Sequence, residues 1–221
     1  MTATRFAKVE DAAARLREGE FVVLCEREDE DTTGCLVLGA GFADATAVNF
    51  MTKEARGLIC LALTDRRCRE LDLRGMERGR PERVASLPFT VTIEAATGVA
   101  TGISAADRAR TIAVAIDPAA GPADLVVPGH VAPLRAAAGG ILERPFVTEA
   151  AVELAFLAGL TPAAAVCQIL ADDGSSARLG DLRETAARHD FALLSVPRLI
   201  GRRLRGGTPE SHATSIAGGR R

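Results

Sequence analysis

The feature that most restricts this chain is a set of short apolar runs, none of them near the ~20 residues of a membrane helix. FVVLC (21–25), CLVL (35–38), LICLAL (58–63), FTVTIEA (89–95), AAAVCQIL (163–170) and FALLSV (191–196) have the length and apolar content of strands. Between them lie stretches with helical spacing. These are residues 8–18, ended by Gly19; 43–56, broken by Gly57; 64–72; a helix opened by Ser104 with Asp107 three residues on; 149–158, opened by Thr148 and Glu149; and 180–189. Residues 74–87 and 117–129 are polar or Pro/Gly-rich and are expected to be connections. Strands and helices alternate irregularly and no internal repeat is present, which favours an α+β domain with a mixed sheet, packed helices and one core. The expected organisation is a single domain over residues 1–205 and a disordered tail over 206–221.

Hydrophobic residues make up 48% of the chain, yet there are only eight Phe and no Trp or Tyr. Ala, Val, Leu and Ile must therefore fill the core, and a base-stacking surface or aromatic cage is not expected. The net charge of -2 gives no global field toward nucleic acid or an anionic membrane, so neither is an expected partner. The first residues carry acids and no apolar core of a signal peptide. Five scattered cysteines, an odd number with no zinc-like spacing, are expected as reduced thiols of a cytoplasmic protein, most of them buried.

Two places invite chemistry. An acidic run, Glu26 to Asp31, is closed by Thr32, Thr33 and Gly34 between two strands; it is either a solvated loop or a polar ligand site. His130 follows Pro128 and Gly129 in a turn-forming segment, and is either a surface residue or a proton carrier. His189 and His212 are expected to face solvent.

Several segments in register resemble the 3,4-dihydroxy-2-butanone-4-phosphate synthase family of riboflavin biosynthesis. They are GLICLALTDRRCRELDL (57–73), FTVTIEAATGVATGISAADRART (89–111), PADLVVPGHVAPLRAAAGGILER (122–144), TEAAVELAFLAGLTPAAAVCQIL (148–170) and ADDGSSAR (171–178). The resemblance covers roughly residues 6–204. It implies a compact α+β homodimer with sites at the subunit interface. The family reaction takes ribulose 5-phosphate, with Mg²⁺, to a four-carbon ketone phosphate plus formate.

Carried over residue by residue, the resemblance shows replacements. In the first loop the substrate-contacting Arg position holds Glu30, the metal-binding Glu position Asp31, a second Glu position Thr33 and the final Asp position Cys35. In the family's R-x-G-H-T-E motif this chain has Arg144, Pro145, Phe146, Val147, Thr148 and Glu149, so the metal-binding His is Val147. A later Glu is Gln168, and a Phe near the retained His130 is Ala132. The family places the substrate phosphate at Arg144 and Thr148. The expected catalytic residues are therefore His130, Asp31 and Cys35, and the expected substrate contacts Arg144, Thr148, Glu26, Thr33 and Gln168. No metal site and no cofactor are expected beyond weak Mg²⁺ at Asp31, because Val147 offers no lone pair. The functional expectation is a repurposed lyase- or isomerase-like enzyme on a small polar, perhaps phosphorylated molecule. A non-catalytic binding partner is the alternative, and a genuine synthase the third reading.

Overall fold

The computed structural model describes residues 5–76 and 88–206. Helix α1 (Val9–Arg17) buries Val9, Ala12, Ala13 and Leu16 on one face, with Glu10 and Asp11 in its first turn and Arg15 and Arg17 in its last, as the helix dipole favours. Strands β1 (Val22–Cys25) and β2 (Gly34–Gly39) follow, then α2 (Ala45–Glu54), whose Asp44 cap accepts from the Ala47 N–H. Next come β3 (Arg56–Leu63), α3 (Asp65–Glu70) capped by Thr64, β4 (Ile93–Ala95), α4 (Ala105–Ile116) capped by Ser104 and β5 (Leu125–Arg135). Helix α5 (Val147–Leu157), β6 (Ala163–Ile169), α6 (Leu179–Arg188), β7 (Ala192–Ser195) and α7 (Val196–Arg205) complete the described elements.

The strands form one mixed sheet in the order β4-β5-β3-β6-β2-β1-β7. β3 and β5 are parallel, as are β1 and β7, and the other neighbours are antiparallel. Side-chain alternation feeds two cores. One face sends Val23, Leu36, Ile59, Leu61, Ala165 and Cys167 toward α2, α4 and α6. The other sends Val22, Leu24, Val37, Ala62, Ala164 and Val166 toward α1, α5 and α7. A sheet covered on both faces explains why its central strands read as continuous apolar runs rather than alternating ones. Helix α5 is buried along most of its length, from Thr148 to Ala155. This is the single-domain α+β fold with a mixed sheet that the sequence led one to expect. Among the described residues no helix is long and apolar enough to cross a membrane.

Several local expectations need correction. The helix expected over 43–56 is shorter at both ends, because Arg56, at φ 66°, already turns the chain into β3. Of 89–95 only Ile93–Ala95 is a strand; Phe89 and Thr90 make single bridges to Leu134 and Gly75. Residues 125–129, expected as part of a link, belong to β5, where Pro128 and Gly129 sit at a shift in register against β4. Residues 196–205 form a helix, α7, with Pro197 in its first turn. His189 is not solvent-facing: it stacks on Phe191 at 5.2 Å, meets Phe50 edge-on and lies 3.2 Å from Glu54. His212, nearly all of the tail and residues 77–87 lie outside the described residues.

Candidate active site

The acidic run between β1 and β2 is exposed from Arg27 to Asp31, yet it is tied to the protein by several bonds. Glu26 N–H donates to the Thr33 carbonyl at 3.1 Å, and the buried Thr32 hydroxyl accepts from the Arg27 N–H at 2.9 Å. Arg27 pairs with Asp29 at 2.6 Å. Glu28 reaches away from the loop to accept from Ser195 Oγ at 2.6 Å and Arg198 Nε at 2.7 Å. Those bonds, that from Arg198 first, hold the Glu28 carboxyl below its ordinary range. Leu179 N–H and the Arg178 guanidinium close on the carbonyls of Glu30 and Asp31. Glu30 and Asp31 point outward, Glu30 80% exposed and 3.6 Å from Arg183, with Glu26 half-buried at the root of the loop.

Behind the loop, Cys35 of β2 pairs with Gln168 of β6. Cys35 and Val147 pack against the same core, but the Arg144–Glu149 pair that flanks Val147 bonds the backbone of Arg135 and Ala137, level with Ala163 at the other end of β6 from Gln168. Gln168 Nε2 donates to Ser176 Oγ at 3.1 Å. Burial, then the neighbouring Cys60, Cys167 and Glu26, pushes the Cys35 thiol far above its ordinary range. A thiolate is therefore not available there at neutral pH, which argues against Cys35 as a nucleophile. The fold thus brings Cys35 and Gln168 together with Thr33 close by in the chain, and all three side chains are neutral.

Arg144 and Thr148 frame the start of α5. Phe146 caps α5 with no side-chain hydrogen bond, so first-turn N–H groups remain unsatisfied by a cap. Thr148 is almost fully buried. Arg144 Nε donates to Glu149 Oε1 at 2.7 Å and its Nη2 to the Arg135 carbonyl at 2.5 Å, while the Ala137 N–H donates to the same carboxylate oxygen at 2.8 Å. Two guanidinium nitrogens are thus used within the protein. The Glu149 side chain is 0% exposed, and its Oε2 has no hydrogen-bond partner among the described residues. A cavity of about 290 Å³ lies beside it, lined by Thr64, Asp65, Ala137, Gly140, Glu149 and Glu153. Glu149 is a residue that sequence reasoning missed as a partner for Arg144, although its spacing in the motif was visible.

His130 stands at the far edge, in the irregular part of β5. Its Nδ1 lies 2.6 Å from Glu94 Oε2; the His side chain is 43% exposed and that of Glu94 15%. Gly129 N–H donates to Thr92 Oγ1 at 3.1 Å, and a Cβ at 129 would fall 2.1 Å from the Ile93 backbone, so the approach of β5 to β4 requires glycine. Glu94 was not foreseen: it appeared only as a polar position in an alternating strand. The registers Cys60–Ala132, Cys60–Val166 and Cys35–Gln168 set His130 level with Gln168 and Cys35 across the sheet. Three strand spacings, about 14 Å, separate β5 from β2. Among the described residues no group of three His, Cys, Asp or Glu could hold a metal ion.

Residues 10–201 match the 3,4-dihydroxy-2-butanone 4-phosphate synthase family. The chain is 47% identical over 201 residues to a 3,4-dihydroxy-2-butanone 4-phosphate synthase of Pseudomonas syringae pv. tomato, a match covering 90% of this chain and 54% of that protein. It is 42% identical over 200 residues to a synthase of Escherichia coli, covering 90% and 92%. Several of its longer curated relatives are thus spanned over about half their length. Among solved structures, RibBX, a two-domain synthase from A. baumannii, superposes with a TM-score of 0.83 at 40% identity, covering 89% of this chain and 58% of the other. A synthase in complex with two magnesium ions superposes at 0.80 with 32% identity, covering 89% and 96%. These matches overturn the expectation of a repurposed lyase- or isomerase-like enzyme. Proteins that carry the synthase name align over nine-tenths of the chain. Sequence profile, relatives and sheet agree that the chain belongs to the 3,4-dihydroxy-2-butanone 4-phosphate synthase family.

Proposed function

We propose that this chain catalyses the family reaction, converting ribulose 5-phosphate into a four-carbon ketone phosphate and formate. The observation that carries this reading is the 42% identity to a synthase of which the chain spans 92%. Enolisation of the ketose needs a positioned proton carrier. His130, half-exposed and held through Nδ1, takes that role. The uncapped N-terminus of α5, with Thr148 and the remaining Nη1 of Arg144, is suited to an anion and receives the phosphate. Glu26, Asp31, Thr33 and Gln168 offer polar contacts to the sugar hydroxyls.

The expectation that no cofactor takes part does not hold against a relative that binds magnesium. Magnesium is held by one or two carboxylates together with water and substrate oxygens, and Asp31 and Glu26 are the carboxylates this loop offers. A cage of three protein donors does not fit the described residues, and Val147 has no lone pair to give. The proton and phosphate roles therefore rest on the side chains named above.

We also propose a homodimer in which one protomer's His130 completes its partner's loop site. The 14 Å gap within one chain supports it, as do the exposed Leu58, Ile103, Val126, Val127 and Phe146. Five unpaired thiols support a reducing, cytoplasmic setting. The test is formate release from ribulose 5-phosphate, with and without Mg²⁺, by the purified chain. Turnover at ordinary enzyme rates, about 1 s⁻¹ or more, is expected; no formate under either condition overturns the proposal. Light scattering should give twice the chain mass. Mixing the inactive His130→Ala and Arg144→Ala proteins should restore partial activity if the site is shared.

A further inference from the structure

The His130–Glu94 contact is built from further away than its two residues. The register against β5 shifts between Ile93 and Glu94 and the pairing continues through Ala95, which donates its N–H to Thr111 Oγ1 at 3.0 Å. Thr111 is buried on α4 and its hydroxyl donates in turn to the Asp107 carbonyl at 3.0 Å. On the other side stands the loop 97–103. Gly102 has φ 81°, a conformation that favours glycine, and a Cβ there would fall 1.8 Å from Glu94 Oε2. The Glu94 carboxylate therefore rests directly on the Gly102 backbone. Gly102 is itself pinned: its N–H donates to Asp107 Oδ2 at 3.0 Å, and the Ala100 N–H to Asp107 Oδ1 at 3.2 Å. Asp107 is fixed by its place in the first turn of α4, its N–H donating to the Ser104 hydroxyl at 3.0 Å.

We infer that Glu94 is the positioning residue of His130, and that Gly102 and Asp107 form the seat that keeps Glu94 in place. An ionised carboxylate only accepts hydrogen bonds, so Nδ1 must carry the hydrogen in this contact. That fixes the tautomer: Nε2 becomes the lone-pair nitrogen, and the ring is oriented by a bond of 2.6 Å, the length of a charge-assisted contact. Glu94 need not touch substrate to matter. It decides which nitrogen is basic and where that nitrogen points. A methyl group at 102 acts the same way from one step further off, because it takes the volume in which the carboxylate lies.

The catalytic side of this inference rests on the proposed synthase reaction, whereas the tautomer does not. The test therefore has two readouts. The first is the ¹⁵N spectrum of the His130 ring in the full chain, taken above the imidazole titration range. Wild type is expected as a single Nδ1–H tautomer. Glu94→Ala is expected to revert to the Nε2–H form, Glu94→Asp to show a mixture, and Gly102→Ala to lose the fixed tautomer with Glu94 still present. A wild-type spectrum dominated by Nε2–H, or one unchanged in Glu94→Ala, overturns the inference. If Glu94→Ala fails to fold by circular dichroism, Glu94→Gln is read instead; its amide can donate or accept, so two tautomers are expected and one unchanged form overturns the idea. The second readout is formate release. Glu94→Ala should lower kcat about 100-fold with KM little changed, and Glu94→Asp should recover part of it. Loss in KM alone would assign Glu94 to substrate binding and overturn positioning. A fixed tautomer in a wild-type protein that releases no formate would sink the proposed reaction and leave the seat of His130 standing.

Discussion

The two ends of the row that crosses the sheet differ in how they keep charge. At the β4–β5 edge a histidine and a carboxylate remain, and each has its partner inside the protein. Where β2 meets β6 the paired residues are Cys35 and Gln168, both neutral, while at the start of α5 Arg144 and Glu149 form an ion pair whose side chains are 23% and 0% exposed. Ionised groups persist where the protein satisfies them. They are missing at Cys35 and Gln168. The edge is thus a self-sufficient device, and the β2–β6 end is one that waits for its ligand to supply polarity.

The most severe way to test that contrast is to break the internal pair at α5. Arg144→Ala would leave the Glu149 carboxylate, 0% exposed, without its cation. Removing one partner of a buried pair costs about 3–5 kcal/mol, because the other charge stays buried. Urea denaturation should show a loss of that size. The double variant Arg144→Met with Glu149→Leu should recover most of it, yet should still bind inorganic phosphate more weakly than wild type. Recovery of both would deny Arg144 any part in anion binding.

The edge should break through its backbone. Gly129→Ala sets a Cβ 2.1 Å from Ile93 carbonyl carbon, with main chain rather than a flexible side chain in the way. A loss of about 2–3 kcal/mol is expected. Gly180→Ala, on α6 with nothing within 4 Å of the new atom, should instead gain about 0.5–1 kcal/mol. Equal effects at the two positions would show that the close approach of β4 and β5 is not what Gly129 provides.

Acid should loosen the edge. The N–H of Ala100, then those of Gly102 and Thr101 together with the Ser104 contact, hold the Asp107 carboxyl below its ordinary range. A depressed folded value means that its stabilisation is fully present above the unfolded value of about 3.9 and is lost as pH falls through the folded one. Hydrogen exchange at Ala100 and Gly102, corrected for intrinsic rates, should accelerate below about pH 4 in wild type. In Asp107→Asn it should be fast already at neutral pH, and should not depend further on acid.

Much of this was legible along the chain. Strands such as 58–63 and 163–170 announce themselves because both faces are covered, so nearly every residue is apolar, Gln168 excepted. Ser104 and Asp107 announced α4 through a capping pattern whose physics is local. What stayed hidden depended on partners remote in sequence. Pro128 and Gly129 carry the signature of a loop, and only β4 makes them a strand irregularity. α7 does have an apolar face, formed by Val196, Leu199 and Ile200, but the four arginines among residues 198–205 mask it along the chain. His130 stood out through its resemblance to a family position, whereas Glu94 is thirty-six residues away and is paired to it only by the fold. The acidic run reads only as a charged loop, because Ser195 and Arg198, which hold Glu28, lie at the other end of the chain.

That last contact gives the smallest expected effect and the finest test of the comparison. Glu28 bonds Ser195 and Arg198, but its side chain and that of Arg198 are 37% and 40% exposed. Solvent screening limits such a pair to under about 1 kcal/mol, less at high salt. Glu28→Gln should therefore shift the melting temperature only slightly. If the loop's task is to present Asp31 and Glu26 to the sugar, its loosening should appear in KM for ribulose 5-phosphate while kcat stays near wild type. The reverse split, a fall in kcat with KM unchanged, would make the loop part of the reacting centre. The β2–β6 end would then not be a passive holder whose polarity arrives with the ligand, and the contrast with the His130 edge would dissolve.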